Sequence, residues 1–228
     1  MPMAASESSC FTRCLAPEHV HAGRCADCVE VAVRAYRLLA RARRKPFVAR
    51  PPRPQIAGGL YHVMCRGNRR ERIFVDKRDG WTFLSILAEV IKRHCWRCHS
   101  YCLMPNHYHL LVETPNADIA GGMHRLNNRF AKWFNARHEQ TGHLFERRYR
   151  SIVIETDEQL LELVRYIALN PVHALLCERA EMWKWSSYGA LVGVRDRDPL
   201  LTTARIVAAF ATSPERAVER IRTFVNEG

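Results

Sequence analysis

No stretch of this 228-residue chain stays apolar for anything near the roughly 20 residues that a bilayer-crossing helix needs. No membrane role is expected. Residues Met1 to Cys10 lack the basic start and apolar middle of a secretory signal, so a cytoplasmic location is the expectation. Acidic side chains are in short supply, with 23 Asp and Glu against 35 Lys and Arg, a formal charge of +12. Such an excess suits a polyanionic partner, nucleic acid first, although charge alone also fits a protein that is merely basic and soluble. Internal repeats and long low-complexity segments are missing too. A chain of this length, 47% hydrophobic and 25% charged, therefore reads as one core domain with appendages.

Cysteine, by contrast, is plentiful. Nine cysteines in a reducing compartment read first as thiols or metal ligands, and an odd number cannot all pair within one chain. Cys10-x3-Cys14 and Cys25-x2-Cys28, with His19 and His21 between them, offer thiolates to a tetrahedral Zn²⁺. The spacing is only loosely finger-like, and an ill-ordered leader stays open as the alternative. A helix-like run over 29–44 follows, rich in arginine, and then prolines 46, 51, 52 and 54, which suit a linker. The expected organisation is a basic, Cys- and His-bearing extension over 1–50, a main domain over 51–195 and a C-terminal helical segment over 196–228.

The main domain alternates strand and helix patterns. Residues 60–65 read as a strand ending at the Gly67-Asn68 turn. Trp81, Leu84, Leu87, Ala88 and Ile91 recur at helical spacing within 79–94. Strands are expected over 98–104 and 107–113, with Pro105 at the bend between them because it has no N–H to give to a ladder. A second helix over 119–138 carries Met123, Leu126, Phe130, Trp133 and Phe134 on one side and basic residues on the other. A third should start at Thr156, where Thr156 and Gln159 fit a capping box, and stop near Asn170, ahead of Pro171. Two short helices, over 202–211 and 214–225, are expected at the end.

Two motifs point to chemistry. In a strand, His107 and His109 leave the same face and can reach one ion, while Tyr108 points the other way. Structural histidines are the bland alternative. A histidine-triad nucleotide hydrolase would need a third histidine at position 111, which is Leu111. The second motif is Arg165-Tyr166-Ile167-Ala168-Leu169-Asn170-Pro171, in which Tyr166 and Asn170, four apart, share one side of a helix. There the alternative is a tyrosine at the core margin and an asparagine that ends the helix.

Together the motifs resemble those of the REP-associated tyrosine transposases, a branch of the single-tyrosine HUH transposases. In order they are Tyr61-His62-Val63, Arg66-Gly67-Asn68-Arg69, Leu103 to Val112 with its Pro105-Asn106-His107-Tyr108-His109 centre, Gly142-His143-Leu144-Phe145, Tyr166 to Val172, and Trp185-Ser186-Ser187-Tyr188. The resemblance implies an α+β fold, an antiparallel sheet flanked by helices of the ferredoxin-like or RRM-like kind. It implies His107, His109 and Asn170 as ligands of Mg²⁺ or Mn²⁺, and Tyr166 as the nucleophile of a DNA-nicking and strand-transfer enzyme. Tyr149, in the basic Arg147-Arg148-Tyr149-Arg150 run, is the competing tyrosine. The implied partner is single-stranded or hairpin DNA, near the nucleoid, bound by a monomer or a homodimer. Arg125, Arg129, Lys132, Arg147, Arg148 and Arg150 are candidates for phosphate contacts, and Phe145 or Tyr149 for supporting a base. Ala168 and His173 depart from the family pattern, where histidine and arginine are usual, which bears on DNA contacts. The rival reading keeps the fold but makes the protein a DNA- or RNA-binding regulator without strand transfer.

Overall fold

Each predicted strand of the main domain is extended by one or two residues in the computed structural model, which describes residues 54–211 and 213–227. The Cys- and His-bearing extension, its zinc candidates Cys10, Cys14, Cys25 and Cys28, and the arginine-rich run over 29–44 lie outside the described residues.

Strands β1 (Gly59–Arg66), β2 (Arg97–Met104), β3 (His107–Thr114) and β4 (Arg150–Ile154) form an antiparallel sheet in the order β2-β3-β1-β4. Sequence reading missed β4. It is a five-residue edge strand of mostly half-buried side chains opened by an exposed arginine, so the run shows little apolar alternation. Pro105 makes the β2–β3 bend as expected, and its carbonyl accepts from the Ile73 and Phe74 amides.

One face of the sheet carries Tyr61, Val63, Cys65, Tyr101, Leu103, Tyr108, Leu110 and Val112, all buried against helices α1 (Lys77–His94) and α2 (Ile119–Arg137). The spacing of α1 is right for Leu84 and Leu87, which are buried with Phe83, Ile86 and Val90, and for Ile91, which packs against the core; it is wrong for Trp81, which is 65% exposed and meets Trp185 edge-on. The apolar residues surrounding Trp81 at several helical offsets permit more than one stripe, and the sheet selects one. Asp76 caps α1 in a capping box with Asp79. The fully buried Asp79 carboxylate is in turn held by Arg137 and His138 at the end of α2, which compensates its desolvation.

The opposite face carries Leu60, Cys102, Met104 and Leu111, and helix α3 (Asp157–His173) lies on it through Leu160, Leu163, Val164, Ile167 and Ala168. Burying such side chains contributes about 1.5–3 kcal/mol each. Helices α4 (Tyr188–Leu191), α5 (Ala204–Phe210) and α6 (Pro214–Asn226) follow, and α5 and α6 add Ile206, Phe210, Ala217, Ile221 and Val225 to the same core. Two expectations for α3 need correction. The Thr156 hydroxyl accepts from the Gln159 amide as a cap should, but the Gln159 side chain accepts from Glu155 rather than Thr156. The helix also runs through Pro171 to His173. A proline this near the end removes one ladder bond, and the Asn170 and Pro171 carbonyls are taken up by the Ala174 and Leu176 amides. Among the described residues, no helix is long and apolar enough to cross a membrane.

Candidate active site

Strand β3 sends His107 and His109 to the face covered by α3, with ring centroids 5.0 Å apart, while Tyr108 is buried on the opposite face and donates to Asn127 Oδ1 at 2.6 Å. Helix α3 crosses this face with Tyr166 and Asn170 one turn apart. The Tyr166 ring meets His109 edge-on at 5.4 Å and His62, from β1, at 6.0 Å. Asn170 donates from Nδ2 to the Tyr166 carbonyl at 2.9 Å and also hydrogen-bonds the His107 side chain. Four residues drawn from β3 and from the last turns of α3 thus come together in space.

The electrostatics favour neutral imidazoles. Burial, then the nearby Arg66 charge, pushes His107 down to about 4, opposed by its bond to Asn170. His109 is held well below the usual histidine range by burial first, then by His62, His107 and Arg66. His62 is pushed down to about 3 by burial and then by Arg150. All three are therefore lone-pair donors at neutral pH. The His107 tautomer follows from its neighbour. Asn106 Nδ2 donates to the Arg70 carbonyl, so Asn106 Oδ1, 2.7 Å from His107 Nδ1, is the acceptor; His107 Nδ1 carries the proton and its Nε2 the lone pair. His109 Nδ1 lies 3.0 Å from His62 Nε2, and its buried Nε2 has no hydrogen-bond partner among the described residues.

A buried nitrogen without a hydrogen-bond partner can be satisfied by an ion. No three His, Cys, Asp or Glu side chains among the described residues are grouped to hold an ion. A cation here would be bound by two imidazoles and the Asn170 carboxamide, a set that leaves room for water and phosphate and suits Mg²⁺ or Mn²⁺.

The profile described as "Transposase IS200 like" matches residues 56–170, half of the chain. The protein belongs to the IS200-like transposase family. Its fold is similar to that of a REP-associated tyrosine transposase solved bound to a REP hairpin, with a TM-score of 0.55 at 18% identity over 67% of this chain and 90% of that one. A candidate transposase from Deinococcus radiodurans R1 aligns at 18% identity over 52% of this chain and 95% of its own, with a TM-score of 0.38. None of the curated proteins compared matches.

Other candidate residues of this IS200-like transposase are scattered. Arg125, Arg129 and Lys132 sit on α2, across the sheet from the histidines, and Arg129 is engaged bidentately by Glu89. The helical spacing put them on one side of α2 but could not say which face of the sheet α2 covers. Tyr149 is only 6% exposed and packs in the core with α1 and α2. Phe145 is half-buried, edge-on to Tyr108. Arg147 and Arg148 are exposed ahead of β4, and Arg150 on β4 lies close enough to His62 to depress its proton affinity.

Two residues near the histidine pair were not singled out from sequence as site residues, His62 and Arg66. Alternation along β1 puts both on one face of that strand. The register that sets His62 beside His109 is a tertiary fact: β1 pairs β3 with His62 opposite Leu111 and Met64 opposite His109.

Proposed function

We propose that the chain is a single-tyrosine transposase of the REP-associated type, which nicks single-stranded, hairpin-forming DNA and rejoins it to another strand. The observation that carries this reading is the edge-on contact of Tyr166 with His109 within a group of neutral imidazoles. The hairpin bound to the similar solved transposase and the net charge of +12 support a DNA substrate.

In the proposed reaction the Tyr166 hydroxyl oxygen attacks the scissile phosphorus, losing its proton to water. The bond from phosphorus to the 3′ oxygen breaks, and that oxygen leaves as a 3′-hydroxyl after taking up a proton. A 5′-phosphotyrosyl link remains, and because it conserves the phosphodiester, a second 3′-hydroxyl can attack it and release Tyr166. An ordinary tyrosine is a weak nucleophile at neutral pH. A divalent ion held by His107, His109 and Asn170 would supply polarisation of the phosphate. The exposed Arg66 and Arg150 bring positive charge to the same group of residues, which suits them to positioning phosphate oxygens.

Labelled single-stranded hairpins from the DNA flanking the gene, incubated with the full chain with and without Mn²⁺, test this. An adduct that survives denaturation is expected in wild type and is expected to vanish in Tyr166→Phe, with hairpin binding retained within about twofold, a difference of under ~0.5 kcal/mol. An adduct formed by Tyr166→Phe would refute the assignment. Hairpin binding without any adduct in wild type would favour a silent DNA-binding regulator.

A further inference from the structure

The proposed chemistry leaves His62 without a task, although it is 99% shielded from solvent and bonded to His109, one of the proposed ion ligands. We infer that His62 is a positioning residue that fixes the tautomer of His109: it accepts a hydrogen bond from His109 Nδ1 and thereby keeps the His109 Nε2 lone pair available to an ion. This rests on the reading of His109 as a metal ligand.

A neutral imidazole has one N–H to place, so the 3.0 Å contact between His62 Nε2 and His109 Nδ1 admits two arrangements. If His62 were the donor, the His109 proton would sit on Nε2. That N–H would be a buried donor with no acceptor among the described residues, an arrangement that is costly and closed to metal. If His109 is the donor, Nε2 carries the lone pair, and an ion satisfies it.

His107 provides the parallel. Its Nδ1 is occupied by Asn106 Oδ1 at 2.7 Å, an atom that can only accept, so its Nε2 is the lone-pair atom as well. Each histidine of the pair thus has its far nitrogen engaged by a neighbour, Asn106 from the β2–β3 bend and His62 from β1. Ring geometry adds to the constraint on His109, whose imidazole lies edge to edge with that of His62, centroids 5.2 Å apart and planes inclined by only 23°, as an in-plane hydrogen bond requires, while the Tyr166 ring meets it edge-on. Partners of this kind orient ligating histidines and set their basicity, and removing them typically weakens metal binding 10- to 100-fold.

The test has a readout that needs no variant and one that needs no catalysis. In metal-free wild-type protein with ¹⁵N-labelled histidine, long-range proton–nitrogen correlation should show His109 protonated at Nδ1 and bare at Nε2; a proton on Nε2 would overturn the inference. Mn²⁺ is then titrated into the full chain and followed calorimetrically, in wild type, His62→Phe, His62→Gln and His109→Ala. His62→Phe keeps a ring of similar size without an acceptor and should bind Mn²⁺ about 10- to 100-fold more weakly, whereas the amide oxygen of His62→Gln can accept from Nδ1 and should stay within about threefold of wild type. Equal Mn²⁺ affinity in His62→Phe and wild type would sink the positioning role while leaving the metal site intact. Equal affinity in His109→Ala and wild type would instead sink the metal reading. Should His62→Phe fail to fold, loss of Mn²⁺ binding in a folded His62→Gln would count against the inference, and the tautomer measurement decides independently.

Discussion

The Asn170 side chain donates to the carbonyl of Tyr166, one turn back along α3, at 2.9 Å. This bond turns the amide nitrogen toward the helix, and the carboxamide lies within reach of the His107 side chain. The residue proposed as nucleophile and the residue proposed as third ligand are therefore braced against each other. Asn170→Ala should lower Mn²⁺ affinity by about 10-fold or more, worth ~1.4 kcal/mol, and cut adduct yield in parallel. A change in yield with unchanged Mn²⁺ affinity would deny Asn170 its place as ligand.

Cationic side chains on the two sheet faces should behave differently. Arg66 and Arg150 lie near the histidines, whereas Lys132 sits on α2, across the sheet. Arg66→Ala and Arg150→Ala should each weaken hairpin binding and flatten its salt dependence by about one counterion. Lys132→Ala should change neither. Binding titrations at several salt concentrations give both quantities, and a larger effect at Lys132 would mean that DNA lies along α2.

Acid should begin to destabilise the metal-free protein from about pH 6.5 downward, above the ordinary carboxylate range. The folded-state proton affinities of His62 and His107 are depressed from 6.5 to about 3 and about 4, and that of His109 is also depressed. Above pH 6.5 these imidazoles are neutral in both folded and unfolded chains, and their contribution is fully present. As pH falls through 6.5 the unfolded chain gains protons that the folded chain refuses, so stability drains toward pH 4 at up to about 1.4 kcal/mol per pH unit for each histidine. Melting temperatures recorded across that window should fall with pH. A flat profile would contradict the depressed values.

Gly67 is tightly enclosed at the turn after β1. A Cβ there would meet the Glu71 carbonyl oxygen at 2.3 Å and Ile73 at 2.8 Å, while its own amide donates to the Asn106 carbonyl at 2.8 Å. Gly67→Ala should destabilise by about 1–3 kcal/mol, as overpacking does. Because Asn106 also orients His107, Mn²⁺ affinity should fall with it. A folded Gly67→Ala with wild-type melting temperature would show that the turn can yield.

The Tyr108–Asn127 bond predicts the opposite pattern, a cost in stability without a cost in chemistry. Asn127→Ala takes the amide acceptor from a fully buried phenol and leaves it only the weakly accepting Cys65 thiol, which should cost about 1–3 kcal/mol. Thermal melts should register that loss. Adduct formed per folded molecule should remain at the wild-type level.

What could be read in advance followed periodicity. The His107–His109 pair shares a face because strand side chains alternate, and Leu160, Leu163, Val164 and Ile167 form a buried stripe because α3 is a helix against a sheet. The pairing of those motifs with Tyr166 came from their resemblance to a family, since no local rule places one helix over one face. What escaped was set by register and by side of the sheet. His62 meets His109 because β1 lies antiparallel to β3 in one particular alignment. The α2 arginines look like neighbours of the site on paper and are separated from it by a layer of backbone. Trp81 was assigned inward because a helix rich in apolar residues offers several stripes, and the sheet selects one.

Helices α5 and α6 were expected only as a terminal segment, yet they finish the core beneath α3, and the Arg165 guanidinium lies over the Phe224 ring at 4.4 Å, one residue before Tyr166. The tail is thus the keel of the helix proposed to deliver the nucleophile. Cropping the chain ahead of α5 would leave bare the flank of α3 that α5 and α6 cover and let the phenol drift from the imidazoles.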